Sequence, residues 1–341
     1  VVTVSEEFTS LTGQFRGELL AHCYRMLGSA EEAEDLVQET YLRAWRSYAG
    51  FEGRSSMRTW LYRIATNVCL TALERSNRRP LPSGLGAPAD DPATELVAGT
   101  EVPWLQPMPD VLLAGEKADP ATVAASRAGV RLAFVAALQY LSARQRAMLI
   151  LRDVLEWPAA DVADLLNTTT TAVNSGLRRA RAQLADAMPA EEQVSEPGEP
   201  ERRAVLERFA AAFENGDASA LADLLREDVV LEMPPHLTWF IGRQTAMQFF
   251  AMHVFEPHRQ YKLVGVMANG QSSFAAYELG PDGAYHAHHA LALTVTPTGV
   301  ARIVAFLDPR LVEKFGLQPE YDAASFGPAR TRETAISSWR R

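Results

Sequence analysis

The amino-acid sequence predicts a multidomain protein: two all-α blocks, the second ending in a helix-turn-helix, followed by an α+β domain with an antiparallel sheet. Three observations carry this. Apolar residues recur at three- and four-residue steps within 1–80 and 127–188, the period of half-buried helices. From 204 onward, two helical stretches give way to strand-length runs separated by turn residues such as Asn269-Gly270 and Pro281-Asp282-Gly283, the grammar of helices followed by paired strands. Between the blocks the periodicity vanishes and proline accumulates. Eight of the 20 prolines fall between Pro80 and Pro120, and proline lacks the donor that helices and ladders need.

In the first block, 1–80, Val37, Tyr41, Ala44, Trp45 and Tyr48 form a stripe expected to be buried. Asp35, Gln38, Glu39, Leu42 and Arg46 share a second face that is polar except for Leu42. After the loop AGFEGRSS, another stripe runs Met57, Trp60, Leu61, Ile64, Val68 and Ala72, which makes Trp60 a core residue. Its flank carries Arg58, Arg63 and Asn67, followed by Arg75, Arg78 and Arg79. A solvated helix face normally mixes both signs of charge; this one does not.

The segment 81–126 reads as an acidic, Pro-rich, extended linker. In the second block, 127–188, Ser142 and Gln145 have capping-box spacing and Pro158 opens the short helix PAADVADLL. After the turn NTT, Thr169 caps a longer helix with the apolar stripe Val173, Leu177, Ala180 and Leu184. Its opposite face presents Thr171, Asn174, Ser175 and Arg178, with Arg179 and Arg181 alongside. Small polar groups at the start of a second helix let the backbone approach base edges, while arginines bind guanine or clamp phosphates. A second linker spans 189–203, an α+β domain 204–319, and a mobile tail 320–341.

Charge supports the DNA reading only when counted locally. The 341 residues carry 33 basic and 42 acidic side chains, a net charge of −9, which taken alone argues against nucleic acid. Yet 41–80 carries +6 and 127–188 carries +3, while 1–40, 81–126 and 189–341 each carry −6. A local basic surface is the footprint of phosphate binding. The polar start VVTVSEEFTS is no secretory signal, and no run approaches the roughly 18 apolar residues of a membrane span. The two cysteines, Cys23 and Cys69, make no disulfide framework, which suits a reduced cytoplasmic setting.

The words DLVQETYLRAW (35–45), FEGRSSMRTWLYRIATNVCL (51–70) and LSARQRAMLILRDVLEWPAADVADLLNTTTTAVNSGLRRARAQL (141–184) closely resemble the extracytoplasmic-function sigma factors of the sigma-70 family. In order, they are similar to region 2 and region 4. VPWLQPMPD, EMPPHLTWFIGR and FLDPRLVEKFGL resemble a subgroup with a SnoaL-like, NTF2-like extension, whose fold implies a curved antiparallel sheet around a cavity. The resemblance implies that Asp35, Gln38, Glu39, Leu42 and Arg43 dock on the β′ clamp helices of core RNA polymerase. It also implies that Arg54, Arg58, Arg63, Asn67, Arg75, Arg78 and Arg79 meet the −10 element. Thr169, Thr171, Asn174, Ser175, Arg178, Arg179 and Arg181 would read the −35 element, with region 4 also meeting the β flap. The acidic linker would thread the polymerase cleft or act as a plain spacer. Gly176 departs from the longer residue common there and should cost its helix about 1 kcal/mol relative to alanine.

Six of the seven histidines lie at His236, His253, His258, His286, His288 and His289. Strand alternation puts His286 and His288 on one face and His289, Leu291, Leu293 and Val295 on the other. A metal site, an acid/base pair (His288 with Glu232 or Asp308) and polar lining of a pocket all remain open. The spacings match no structural-zinc motif, and no metal and no cofactor is expected. The candidate pocket is Glu232, His236, Trp239, Tyr277, His286 and His288, near the aromatic group Trp239, Phe240, Phe249, Phe250 and Phe255. Three functions follow. The first is a non-enzymatic sigma factor whose C-terminal domain modulates activity in response to a small-molecule ligand. The others are a one-component helix-turn-helix regulator and a DNA-tethered SnoaL-like enzyme.

Overall fold

The structure, a computed structural model, describes residues 4–74, 78–113, 129–187, 198–322 and Ser325. The chain divides into two compact units, 1–79 with 105–188, and 80–104 with 189–341. Among the described residues no helix is long and apolar enough to cross a membrane.

The first unit opens with α1 (Val4–Thr12), α2 (Arg16–Leu27), α3 (Ala30–Ser47) and α4 (Met57–Leu73). Gly28 ends α2 in the left-handed region at φ 75°. A Cβ there would lie 2.8 Å from Leu105, so the turn requires glycine for both reasons. Ser29 then caps α3 by accepting from the Glu32 N–H at 3.2 Å, with Glu31 and Glu32 favourably placed in the first turn. Ser56 caps α4 through the Thr59 N–H at 3.1 Å.

The buried faces are rotated from those the stripes suggest. On α3 the core set is Ala33, Val37, Thr40 and Ala44, and Trp45 is 40% exposed. On α4 it is Leu61, Tyr62, Ala65, Val68 and Cys69. Trp60 is therefore not core; it lies half-buried at the edge of the face, its ring 4.8 Å from that of Phe51. Thr40 is tolerated inside because its hydroxyl donates to the Leu36 carbonyl at 2.7 Å, which leaves no unpaired buried donor.

The second helical block joins the same unit. After α5 (Asp110–Leu113), a short helix within the segment expected to be linker, it comprises α6 (Leu132–Leu138), α7 (Ala143–Leu149), a π-helical turn Ile150–Val154, α8 (Ala159–Leu165) and α9 (Thr170–Ala187). The Ser142–Gln145 capping box forms, and Thr169 accepts from the Ala172 N–H at 3.2 Å. Arg146 is buried and donates to the Met26 carbonyl and, at 3.0 Å, to Gln139 Oε1. Tyr62 meets Trp157 edge-on, with ring centroids 6.2 Å apart. Gly176 has a packing cause: a Cβ there would come within 2.6 Å of Met148 Sδ, so the residue that weakens the helix lets α9 approach α7.

His22 lies fully buried in α2, its Nε2 2.9 Å from Thr66 Oγ1. Burial, reinforced by Arg25, holds its pKa down at about 3. The unfolded chain therefore binds a proton that the native state refuses as pH falls below 6.5. Stability from this site is complete above pH 6.5 and is lost between 6.5 and 3, by at most about 5 kcal/mol. His22→Phe should flatten that slope, read as hydrogen exchange of the α2 amides at pH 7 and pH 4.5.

The second unit contains α10 (Glu199–Glu214), α11 (Ala218–Ala222), β1 (Leu225–Glu232), β2 (Trp239–Ile241), α12 (Arg243–Phe249), β3 (Tyr261–Ala268), β4 (Gln271–Leu279), β5 (Ala284–Thr296), β6 (Gly299–Phe306), α13 (Arg310–Lys314) and β7 (Glu320–Asp322). The strand order is β2-β1-β6-β5-β4-β3, with β7 added against β5. Asn269-Gly270, with φ 58° and 67°, makes the tight β3–β4 hairpin, as two positive-φ turn residues do. The core of Phe209, Phe213, Leu231, Phe240, Phe274 and Leu291 lies between one face of the sheet and the helices.

Four readings from the sequence change. The sheet is not wholly antiparallel, because β1 and β6 pair in parallel, Leu231 opposite Ile303. Three-residue β2 and β7 carry too little alternation to be read as strands, and β7 places 320–322 in the sheet rather than in a tail. Helix α10 starts at Glu199, within the expected linker. Most consequentially, 80–104 is no free linker. Its Gly99 N–H donates to the Pro235 carbonyl at 2.8 Å, its Ala89 N–H to that of Trp239 at 2.8 Å, and its Val97 carbonyl accepts from the Leu237 N–H at 2.8 Å. This strap satisfies its donors on the C-terminal domain, while 105–113 packs in the first unit, Leu105 and Met108 fully buried. Residues 114–128, 188–197 and most of 323–341 lie outside the described residues.

Candidate functional site

The expected site residues divide among three helical surfaces and the C-terminal domain. On α3, Asp35, Gln38, Leu42 and Arg43 are exposed and Glu39 is half-buried. Arg43 and Glu39 form an i,i+4 ion pair at 2.6 Å. Leu42, 50% exposed, is an apolar group within a charged patch. Trp45, one turn further on, extends that patch. Its periodic position disguised it as core.

The basic residues around α4 divide. Arg54 and Asn67 are exposed, and Arg54 pairs with Glu52 at 2.5 Å. The Arg78 guanidinium lies 4.5 Å from the Tyr140 ring centroid, a cation–π contact, and Arg63 is half-buried. Arg58 is held by buried Glu18 at 2.6 Å and stacks on Tyr62. Arg79, 9% exposed, is held by Glu32 at 2.5 Å. Arg58 and Arg79 thus have acidic partners within the unit, as Arg54 does. Charge sign is visible in a sequence; the partner that takes the charge is not. Arg75 lies outside the described residues.

On α9, Thr169, Thr171, Asn174, Arg178, Arg179 and Arg181 are exposed and Ser175 is half-buried. They form one face opposite Val173, Leu177 and Ala180, which are buried. Arg181 differs from its neighbours in making a two-pronged pair with Asp153, at 2.9 and 2.7 Å.

The C-terminal cavity, of about 340 Å³, opens between the sheet and its helices. Of the six residues expected to line it, only His288 does. Glu232 is fully buried elsewhere, bonded to the Ser83 N–H and Arg302. His236 bridges to Ala98 of the strap, and Trp239 donates to the Gly86 carbonyl. Tyr277 lies in a separate cluster with Tyr285 and Val312, and His286 faces Asp282 at the surface. Asp308 pairs with Arg310 instead of a histidine.

A bulge explains why strand alternation failed here. Ala276 pairs with His289 and Tyr277 with Ala287, so His288 is an extra residue in β5. Both His288 and His289 therefore line the cavity, joined there by His253, Arg259 and Tyr261. Their Nδ1 atoms lie 2.6 Å apart, and His288 Nε2 is 3.1 Å from Glu278. Arg259 grips Glu278 with two hydrogen bonds, at 2.7 and 2.9 Å. Burial would raise the Glu278 carboxyl, but that grip holds it below the usual range. Burial lowers His288, which Glu278 only partly offsets, and lowers His289 much further, with His288 adding to the effect. Among the described residues no group of three or more His, Cys, Asp or Glu side chains could hold a metal.

Two helical blocks, the second with an exposed arginine-bearing recognition helix, define a two-module transcription protein with an α+β appendage. Comparison with known proteins agrees block by block. Residues 11–79 match the Sigma-70 region 2 model, 131–184 the Sigma-70 region 4 model, and 206–313 the SnoaL-like domain model. The chain is 50% identical over 315 residues to the ECF RNA polymerase sigma factor SigG of Mycobacterium tuberculosis, covering 91% of this chain and 84% of that one. It belongs to the ECF RNA polymerase sigma factors. SigJ of Mycobacterium tuberculosis is 29% identical over 215 residues, covering 63% of this chain and 61% of that one. The crystal structure of SigJ shares the fold at a TM-score of 0.57 and 23% identity, covering 92% of this chain and all of that one.

Proposed function

We propose that this sigma factor binds core RNA polymerase through the α3 face, reads promoter DNA through the α4 flank and α9, and acts in the cytoplasm without enzymatic activity of its own. The observation that carries this reading is the patch on α3. Leu42 stands half-exposed among Asp35, Gln38, Glu39 and Arg43, an arrangement suited to a protein partner whose contact combines one buried apolar anchor with a charged rim. Copurification with core polymerase followed by run-off transcription on a genomic library tests it. Specific operator binding by the chain alone, without polymerase, would instead favour a one-component regulator.

Promoter discrimination should reside in α9. Arg178→Ala should lower transcription about tenfold or more at promoters whose −35 guanines it contacts, since a bidentate arginine–guanine pair contributes about 1–3 kcal/mol. Arg179→Ala, if Arg179 clamps phosphate, should weaken all promoters alike and reduce the salt dependence. Footprints of the two variants across a promoter library check the difference.

Modulation by the C-terminal domain is assigned to the strap. Residues 80–104 carry Asp90, Asp91, Glu95 and Glu101 and are hydrogen-bonded to the C-terminal domain. A linker held there is withdrawn from any path through a polymerase cleft. Removing residues 204–341 should change promoter output several-fold in vitro, and unchanged output with unchanged polymerase affinity would sink this assignment.

A further inference from the structure

We infer that the C-terminal cavity is a binding site for a neutral hydroxyl donor, a phenol or enol, carried on an apolar ring body, and that His289 Nε2 receives the hydroxyl. The proposal deepens the modulatory reading above and rests on it for consequence, though not for binding. Most of the wall is hydrocarbon and aromatic, including Phe249, Phe250, Leu291 and Ile303, and the polar groups gather around His288 and His289. A concave apolar chamber of this size with a few convergent polar groups is the usual form of a small-molecule site.

The hydrogen-bond chain specifies which polar group fits. Ionised Glu278 only accepts, so His288 Nε2, 3.1 Å away, carries the proton. His288 is kept neutral by burial, which leaves its Nδ1 as an acceptor. The neighbouring Nδ1 of His289, 2.6 Å off, must then carry the hydrogen between them. His289, neutral for the same reason, is left with a bare lone pair on Nε2. That atom meets no protein partner among the described residues, and its ring lines the cavity. Negative charge is excluded from the same place. Arg259 is neutralised by Glu278 in a two-pronged pair and Glu256 also lines the wall, so a carboxylate entering the cavity finds no uncompensated positive charge.

Occupancy would reach the strap. Leu96 forms part of the cavity wall, and His253, also on the wall, bonds the Pro92 carbonyl of the strap at 3.1 Å. A bound ring therefore packs against the same segment that the modulatory reading makes the regulated element.

The full-length chain should be titrated with 2-naphthol, 2-methoxynaphthalene and 2-naphthoate. A site built to accept a hydroxyl proton rejects analogues lacking it, so 2-naphthol should bind about tenfold more tightly than either. His289→Phe should bring naphthol affinity down to the methoxy level while leaving methoxynaphthalene binding unchanged, which shows the cavity intact. Naphthol should also slow hydrogen exchange in residues 86–99. Equal affinity for all three probes, or no binding, overturns the proposal. The wild-type comparison decides it even if the variant fails to fold. Binding is measured without polymerase and promoter activity by run-off transcription, so loss of one leaves the other standing.

Discussion

Leu42→Asp should reduce affinity for core RNA polymerase about 100-fold while leaving the melting temperature of the chain within a degree or two of wild type. The two halves of this expectation have separate causes. Leu42 is 50% exposed and lies outside the buried set of α3, so a polar replacement removes little packing from the folded chain. In a complex the same side chain would be the apolar centre of a charged patch. Placing a carboxylate there would bury an unpaired charge, a loss of several kcal/mol at an interface hot spot. Trp45→Ala, at the edge of that patch, should weaken binding less and destabilise more, because the ring also packs on Phe8 at 5.3 Å. Polymerase pull-down with a parallel thermal melt checks both. A variant that retains polymerase affinity would place the docking face elsewhere on the helices.

The largest effect on stability should come from Glu232. Its carboxylate is fully buried, one oxygen accepting from the Ser83 N–H at 2.9 Å and the other from Arg302 Nη1 at 2.5 Å. Glu232→Ala would leave a nearly buried guanidinium without its counter-charge and a strap N–H without an acceptor. Breaking a buried pair by removing one partner typically costs about 3–5 kcal/mol, a large share of the roughly 5–15 kcal/mol that holds a domain together. The double variant Glu232→Leu with Arg302→Met should recover much of the loss, because the stranded charge goes with its partner. It should not restore the Ser83 bond, so exchange at the start of the strap should stay fast. Urea unfolding followed by tryptophan fluorescence, with hydrogen exchange across 80–104, separates the two contributions. Recovery of both by the double variant would mean that Glu232 does not anchor the strap.

How much of this was legible beforehand depends on how local the signal is. Capping residues act within one turn, so Ser142, Gln145 and Thr169 are readable from spacing and form as expected. The α9 face follows from helical period alone, and its exposed residues are those the pattern selects. Core faces are less certain, because a stripe of 37, 41, 44, 45 and 48 spans more arc than one neighbour can cover. Trp45 falls at its margin and emerges exposed, and Trp60, at the margin of the α4 stripe, emerges half-buried. Among the arginines, Arg54 pairs with Glu52, two residues away and visible locally, whereas Arg58 and Arg79 pair with Glu18 and Glu32. Those partners lie 40 and 47 residues away in sequence, beyond any pattern of spacing.

The C-terminal cavity shows the same limit more sharply. Strand alternation is a rule of period two, and one inserted residue reverses it. The bulge at His288 depends on how β4 pairs with β5, so no property of β5 alone predicts it. Likewise, proline content reads 81–126 as an extended linker, but it does not show that 80–104 forms a strap with a 3-10 turn at Pro82–Gly84 and a bridge from Ala98 to His236.

By itself the sequence determined the order of modules, the helix-turn-helix with its exposed polar face, the two basic islands within an acidic chain, and the family to which the chain belongs. These depend on periodicity, capping and local charge, which act over a few residues. Only the tertiary structure decided which acidic partners meet Arg58 and Arg79, that the strap belongs to the C-terminal domain, and that His288 and His289 share a cavity with Tyr261 and Arg259. Each of these is a pairing between segments far apart in the chain, set by burial and by the need to satisfy every buried charge and donor.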